Sequence, residues 1–210
     1  MQQSDGRCQV SLVKDTQADY LNLGRGSSML LGRGGKVTRL IQIYISHNPS
    51  QNSVGFTVGD QQQRFFESQG DFQSVRDIYF DQFIAQLLLW KAAGEEIVMM
   101  GDFNEDVYLD RFATRFAESD LNLSEQCLAT NKQHIPPTFI NGSHPIDAVF
   151  VTSGIDCINA CILPKYGGVG DHRVFIMDFC ATSVIGESFP NIVTPSSRKL
   201  HCNSMRLVNN

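Results

Sequence analysis

Three short stretches carry the residue types that phosphate-ester chemistry needs. Gly101-Asp102-Phe103-Asn104 closes the apolar run Ile97–Met100, His144-Pro145-Ile146-Asp147 leads into Ala148–Val151, and Gly170-Asp171-His172-Arg173 leads into Val174–Met177. A carboxylate and an amide one residue apart, Asp102 and Asn104, can face one pocket from a loop and orient a water and a phosphate oxygen there. Asp147, Asp171 and His172 add two carboxylates and an imidazole. Hard oxygen donors suit Mg2+ or Mn2+, and a cation so held polarises a phosphate and stabilises developing charge. An imidazole beside Asp147 or Asp102 has its tautomer fixed and its protonated form favoured. Singly, each stretch has a plainer reading. Asp102 and Asn104 are common turn formers, Asp147 can cap a strand, and Asp171-His172 can be a glycine-flanked turn. What joins them is position: each polar cluster sits at one end of an apolar run of strand length. A sheet with antiparallel partners brings strand starts and ends to one edge, so the five residues are expected to line a single cleft.

Other chemistries find less support. His134, His144 and His172 do not stand at the spacing of a helical zinc pair, and no cysteine accompanies them. There is no G-x-S-x-G elbow for a serine hydrolase. The glycines at 24–26 and 32–35 fit neither the P-loop nor the dinucleotide fingerprint and read as turns between short strands.

The elements that must position these residues are legible to different degrees. Glu96–Met100 is a short buried strand closed by Gly101. Lys36–Ile45 is a strand ended by Ser46-His47-Asn48-Pro49, and Tyr44 near its end either fills the core or reaches a phosphate. Residues 50–63 read as a loop, with the glutamines at 61–63 beginning a short helix. Ser74–Ala93 is the strongest helix, started by a Ser74/Asp77 capping box and stopped by Gly94. Its stripe of Val75, Ile78, Tyr79, Phe83, Leu87 and Trp90 can cover a sheet, and Phe80, Ile84, Leu88 and Leu89 widen that stripe enough to predict a helix sandwiched between layers. A shorter helix is expected over 108–118, while 120–128 has no assignment. Thr138–Ile140 and Ile146–Val151 around Asn141-Gly142 read as a hairpin, followed by strands at 157–163 and 174–179.

The 210 residues suit one domain, and 42% apolar content with 14 phenylalanines provides for a sizeable core. A formal charge of −5 argues against a general polyanion binder, unless a bound cation reverses the sign locally. The six cysteines, at 8, 127, 157, 161, 180 and 202, form no C-x-x-C pair and are expected to be free thiols of a reducing compartment. With no apolar leader and no run of 18 apolar residues, the expectation is an intracellular chain, nuclear or cytoplasmic, without a membrane span.

Gly101-Asp102-Phe103-Asn104, Ile146-Asp147-Ala148-Val149-Phe150 and Gly170-Asp171-His172, in that order, resemble the second half of the endonuclease/exonuclease/phosphatase superfamily. That group includes abasic-site endonucleases, pancreatic-type deoxyribonucleases, sphingomyelinases and inositol phosphatases. The resemblance runs from about residue 25 to 182. It implies an α+β or α/β layered sandwich, two packed and mostly antiparallel sheets flanked by helices. Residues 1–24 are then a poorly assigned N-terminal segment and 183–210 a basic linker or tail. The resemblance implies that Asp102 activates the attacking water, Asn104 steadies phosphate oxygens, Asp147 hydrogen-bonds His172, and His172 contacts the scissile phosphate. It also implies that Tyr44 matches a phosphate-contacting tyrosine, and that Asp171 holds Mg2+ or Mn2+ with Asp102 and Asn104 as further candidates. The family's leading strand and its Gln-Glu pair, whose glutamate is the principal metal ligand, have no counterpart in residues 1–43, so an incomplete copy of the fold is expected. Ala93–Glu105 further resembles the endonuclease-like region of retroelement polyproteins, and Pro195–Leu200 the segment leading toward a reverse transcriptase. The implied function is metal-dependent hydrolysis of DNA phosphodiesters in a retroelement-like setting. The alternatives are an inactive nucleic-acid- or protein-binding remnant, and a phosphatase acting on a small molecule or lipid.

Overall fold

A computed structural model of the chain describes residues 12–186, apart from 20–22, 33–34, 48, 50–56, 110, 132–134 and 169. The tail from 187 onward and the first eleven residues lie outside the described residues. Strands β1 (Leu12–Ala18), β2 (Gly26–Leu31) and β3 (Thr38–Tyr44) form an antiparallel meander. Helices α1 (Val58–Ser68) and α2 (Val75–Ala92) carry the chain over to β4 (Glu96–Asp102), which pairs parallel to β3. Beyond α3 (Arg111–Glu118), β5 (Leu123–Glu125) and α4 (Gln126–Asn131), strand β6 (Asp147–Thr152) returns antiparallel between β4 and β5. The sheet order is β1-β2-β3-β4-β6-β5. A second, two-stranded antiparallel sheet consists of β7 (Cys157–Ile162) and β8 (Phe175–Phe179), with α5 (Ala181–Ile185) after it.

Successive strand residues point to opposite faces, and the core divides accordingly. Ile41, Ile43, Ile97, Met99, Ala148 and Phe150 meet Tyr79, Phe80 and Leu87 of α2 on one face. On the other, Val98, Val149 and Val151 receive Phe175, Met177 and Phe179 of β8. The result is the expected layered α+β architecture of two packed, mostly antiparallel sheets with flanking helices. β4 is covered on both faces: Ile97, Val98 and Met99 are at most 1% exposed, and each such side chain stabilises the fold by about 1.5–3 kcal/mol. The four described cysteines, 127, 157, 161 and 180, are free thiols. No described helix is long and apolar enough to cross a membrane.

Three local expectations are corrected. α2 is not sandwiched: Leu88 and Leu89 are 38% and 65% exposed, because the sheet gives the helix one apolar surface and no layer among the described residues covers its back. α1 begins before the glutamines, where Thr57 and Asp60 cap each other reciprocally. Finally, Thr138–Ile140 and Ile146–Val151 do not form a hairpin. Both edges of β6 are already taken by β4 and β5, so Phe139 instead bridges His172. The Asn141-Gly142 turn survives as a Gly142 N–H bond to the Phe139 carbonyl. Thr138 Oγ1 accepts from the amides of Ile146 and Asp147 at 2.9 and 3.0 Å.

Candidate active site

The sheet register assembles the site. At the last rung, Tyr44 lies beside Asp102 on the parallel side and Asp147 opposite it on the antiparallel side. Gly101 makes that rung possible, since a Cβ there would stand 2.0 Å from the Ile43 carbonyl oxygen. After Asp102 the chain turns back on itself. The Asn104 amide N–H donates to Asp102 Oδ1 at 2.8 Å, and Asn104 Nδ2 donates to the Ile45 carbonyl at 2.8 Å and to Asp102 Oδ2 at 3.3 Å. Asn104 adopts φ +50°, a left-handed conformation that asparagine tolerates better than most residues.

His172 arrives from the other sheet, on the arm that leads into β8. Its Nδ1 lies 2.8 Å from Asp147 Oδ2, and its ring contacts Phe139 at 5.3 Å between centroids. Asp102, Asp147 and His172 each offer a ligand-type atom, all within 4.8 Å of one another. Burial raises the Asp102 pKa, as does the Asp147 charge; the Asn104 N–H and the nearby His172 and His47 oppose the rise without cancelling it. Burial alone would lower the His172 pKa. The hydrogen bond from Asp147 and the charges of Asp147, Asp102 and Asp171 outweigh it, and the net shift is upward. The site therefore favours an imidazolium whose Nδ1–H is committed to Asp147 and whose Nε2–H is a second donor.

Not every expected residue converges equally. Asp102, Asn104, Asp147 and His172 form one contiguous group. Tyr44 is half-buried at the neighbouring strand end. Asp171 is exposed and stands outside the three-group cluster; its charge acts on His172, and its backbone carbonyl accepts the Ile140 N–H at 2.7 Å. His144 pairs instead with the buried Asp106 at 3.2 Å, and His134 lies outside the described residues. His47 belongs to the site electrostatically although no motif marked it; the signal was its place just past β3, on the side where β4 ends. A separate cleft of about 160 Å³, lined by Ile41, Tyr79, Phe83 and Trp90 beside the Arg25–Asp19 ion pair, contains none of these residues.

The donor set fits a hard divalent cation. The two carboxylates, Asp102 and Asp147, would supply the one or two protein ligands that Mg2+ typically takes alongside substrate phosphate and water. His172, its Nδ1 held by Asp147, keeps Nε2 for a further hydrogen bond.

No protein-family model and no curated protein sequence matches the chain. Solved structures with a similar fold include the human Nocturnin catalytic domain with bound sulfate, at 17% identity and TM-score 0.47 over 74% of this chain and 52% of that one. An endonuclease/exonuclease/phosphatase protein from Bacteroides vulgatus is 13% identical, with TM-score 0.48 over 73% and 54%. TDP2 from D. rerio, complexed with single-strand DNA product, is 13% identical, with TM-score 0.46 over 74% and 61%. The chain thus spans between half and three-fifths of the length of these solved chains.

Proposed function

We propose that the chain hydrolyses phosphodiester bonds in nucleic acid, assisted by Mg2+ or Mn2+. The observation that carries this reading is the convergence of Asp102, Asp147 and His172 within 4.8 Å, with Asn104 clamped onto Asp102. Asp102, its pKa raised, accepts a proton from the attacking water. The His172 imidazolium donates through Nε2 to a non-bridging phosphate oxygen, and Asp147 holds it in place. Asn104 has its amide hydrogens directed at Ile45 and Asp102, so its part is to aim the Asp102 carboxylate, more than to bind phosphate itself. Tyr44 and Asp171 flank the cluster, as a phosphate contact and an outer cation-attracting carboxylate. A bound cation neutralises phosphate charge. The water oxygen attacks phosphorus in line, the bond to the 3′ oxygen breaks, and that oxygen takes a proton from solvent water, so that a 5′-phosphate and a 3′-hydroxyl result. Positioning and electrostatic stabilisation do most of the work in such a site.

DNA is the proposed substrate, and a retroelement setting with a reverse transcriptase downstream is the proposed context. Both rest on the sequence resemblance of Ala93–Glu105 and Pro195–Leu200. The test is nicking of supercoiled plasmid and hydrolysis of bis(p-nitrophenyl) phosphate, with Mg2+ and with EDTA, by the wild type and by Asp102→Asn. Both activities are expected to require Mg2+, and Asp102→Asn to lower them by at least about 100-fold. Hydrolysis of neither substrate by the wild type, or equal rates for the two proteins, would leave a binding module. Turnover of the small diester alone would move the substrate to a small phosphoester.

A further inference from the structure

β3 and β4 run parallel and then part. Their last peptide rung is the Ile45 N–H bond to the Asp102 carbonyl, at 2.9 Å. Beyond it the chains leave as two loops, and the Ser46 and Phe103 carbonyls both accept from one side chain. Arg76, the second residue of α2, occupies that gap. Its Nη1 donates to the Ser46 carbonyl at 2.9 Å and its Nη2 to the Phe103 carbonyl at 2.8 Å. The Glu105 carboxylate lies 2.7 Å from Nη2, and the guanidinium stands 5.7 Å from the Phe80 ring centroid. The side chain is 3% exposed.

We propose that Arg76 is a positioning residue for the phosphodiester site: it continues the β3–β4 ladder past its last rung and so sets the geometry of Asp102 and Asn104. Asn104 lies between two anchored neighbours, Phe103 and Glu105, both held by this one guanidinium. That explains how a residue at φ +50° is kept in a conformation the chain does not favour on its own. With Phe103 and Glu105 fixed, the Asn104 carboxamide spans to Ile45 and Asp102, and the Asp102 carboxylate is aimed. A lysine cannot substitute, because one ammonium point charge does not span two carbonyls and a carboxylate as a planar fork does.

The fold supplies a matched control. Arg39, also 3% exposed, pairs with Glu95 at 2.6 and 3.0 Å, donates to Ser28 Oγ and stacks 4.3 Å from the Trp90 centroid. It sits at the end of β3 remote from the site. Arg39→Lys removes a comparable buried fork without touching either loop.

The proposal rests on the phosphodiesterase reading for its kinetic arm, and a spectroscopic arm makes it separable. kcat and KM for bis(p-nitrophenyl) phosphate, Tm, and the Asn104 side-chain amide resonance are measured for the 210-residue wild-type chain, Arg76→Lys and Arg39→Lys. A third variant, Arg76→Gln combined with Glu105→Gln, removes the clamp without leaving a buried unpaired charge, should Arg76→Lys fail to fold. Loss of the clamp is expected to lower kcat about 10- to 100-fold, to leave KM within about twofold, and to move the Asn104 resonance toward that of a free carboxamide. Arg39→Lys is expected to lower Tm as much while sparing kcat and the resonance. Losses of kcat that merely track Tm in both arginine variants, or an unmoved Asn104 resonance, overturn the proposal. If the wild type hydrolyses nothing, the functional reading fails on its own and the resonance alone decides for or against Arg76.

Discussion

The pH behaviour of the site turns on one contact, the 2.8 Å approach of His172 Nδ1 to Asp147 Oδ2. Because the folded His172 pKa is raised, its imidazolium stabilises the fold fully below the ordinary value of about 6.5. That contribution is lost as pH rises through the folded pKa. Asp102 is raised for a different reason, chiefly burial, so its neutral form is the one the fold prefers and it ionises later than a free carboxyl. Under the proposed mechanism, hydrolysis by an ionised Asp102 and a protonated His172 would follow a bell, its acid limb set by Asp102 and its alkaline limb by His172. Proton NMR titration of the His172 ring in metal-free protein is expected to give a midpoint above 6.5, and Asp147→Asn to bring it down. A midpoint indifferent to Asp147→Asn would remove Asp147 as the residue that charges His172. These residues were readable in the sequence because each closes or opens an apolar run, where strand ends gather polar groups. Arg76 and His47 were not. A basic residue in the first turn of an amphipathic helix looks solvated, and only the meeting of three distant segments buries it.

At the level of elements, the site depends on how closely β3 and β4 approach at Gly101. A Cβ at that position would stand 2.0 Å from the Ile43 backbone oxygen and 2.8 Å from Ile43 Cγ1, and a backbone carbonyl inside a ladder has nowhere to retreat. Gly101→Ala is therefore expected to destabilise the fold by about 3 kcal/mol or more in urea unfolding. Gly94→Ala has open space around its Cβ at φ +84° and is expected to cost only about 1 kcal/mol. Equal costs would mean that the β3–β4 contact yields and does not constrain Asp102. The strand before Gly101 and the helix before Gly94 were legible because local signals agreed: caps, glycine stops and periodicity. The Asn141-Gly142 hairpin misled because a turn signal reports the turn and not the partner. Pairing of β6 with β4, some forty residues away in the chain, is decided by which sheet edge is open. The start of α1 was written in Thr57-x-x-Asp60, but the polar stretch around it hid the cap. α2 carries more apolar surface than one layer covers, and periodicity cannot show whether a second layer exists.

Over the whole chain, charge is unevenly placed, and this bears on how an acidic protein meets a polyanion. Residues 183–210 hold Arg198, Lys199 and Arg206 against Glu187, a net of +2, so the total of −5 leaves −7 on residues 1–182. The cluster itself adds to the repulsion, with Asp102 and Asp147 beside one imidazole and the charge of the exposed Asp171 close enough to act on it. A cation bound in the proposed site would lower that local barrier, but it would not hold a long strand by itself. The basic tail is the part of the sequence suited to phosphate contacts away from the reacting bond. If its three cations neutralise phosphates, each contributes about 0.9 to the slope of log K against log salt. Removing residues 187–210 should then flatten the slope for a duplex oligonucleotide by about 3 and raise KM for plasmid DNA. Turnover of bis(p-nitrophenyl) phosphate, which has no nucleic-acid backbone to contact, should stay the same. A slope that does not change on truncation would mean that the tail does not touch the nucleic-acid backbone. The acidic domain would then have to bind its substrate through the site alone, and a small phosphoester would become the better-matched substrate.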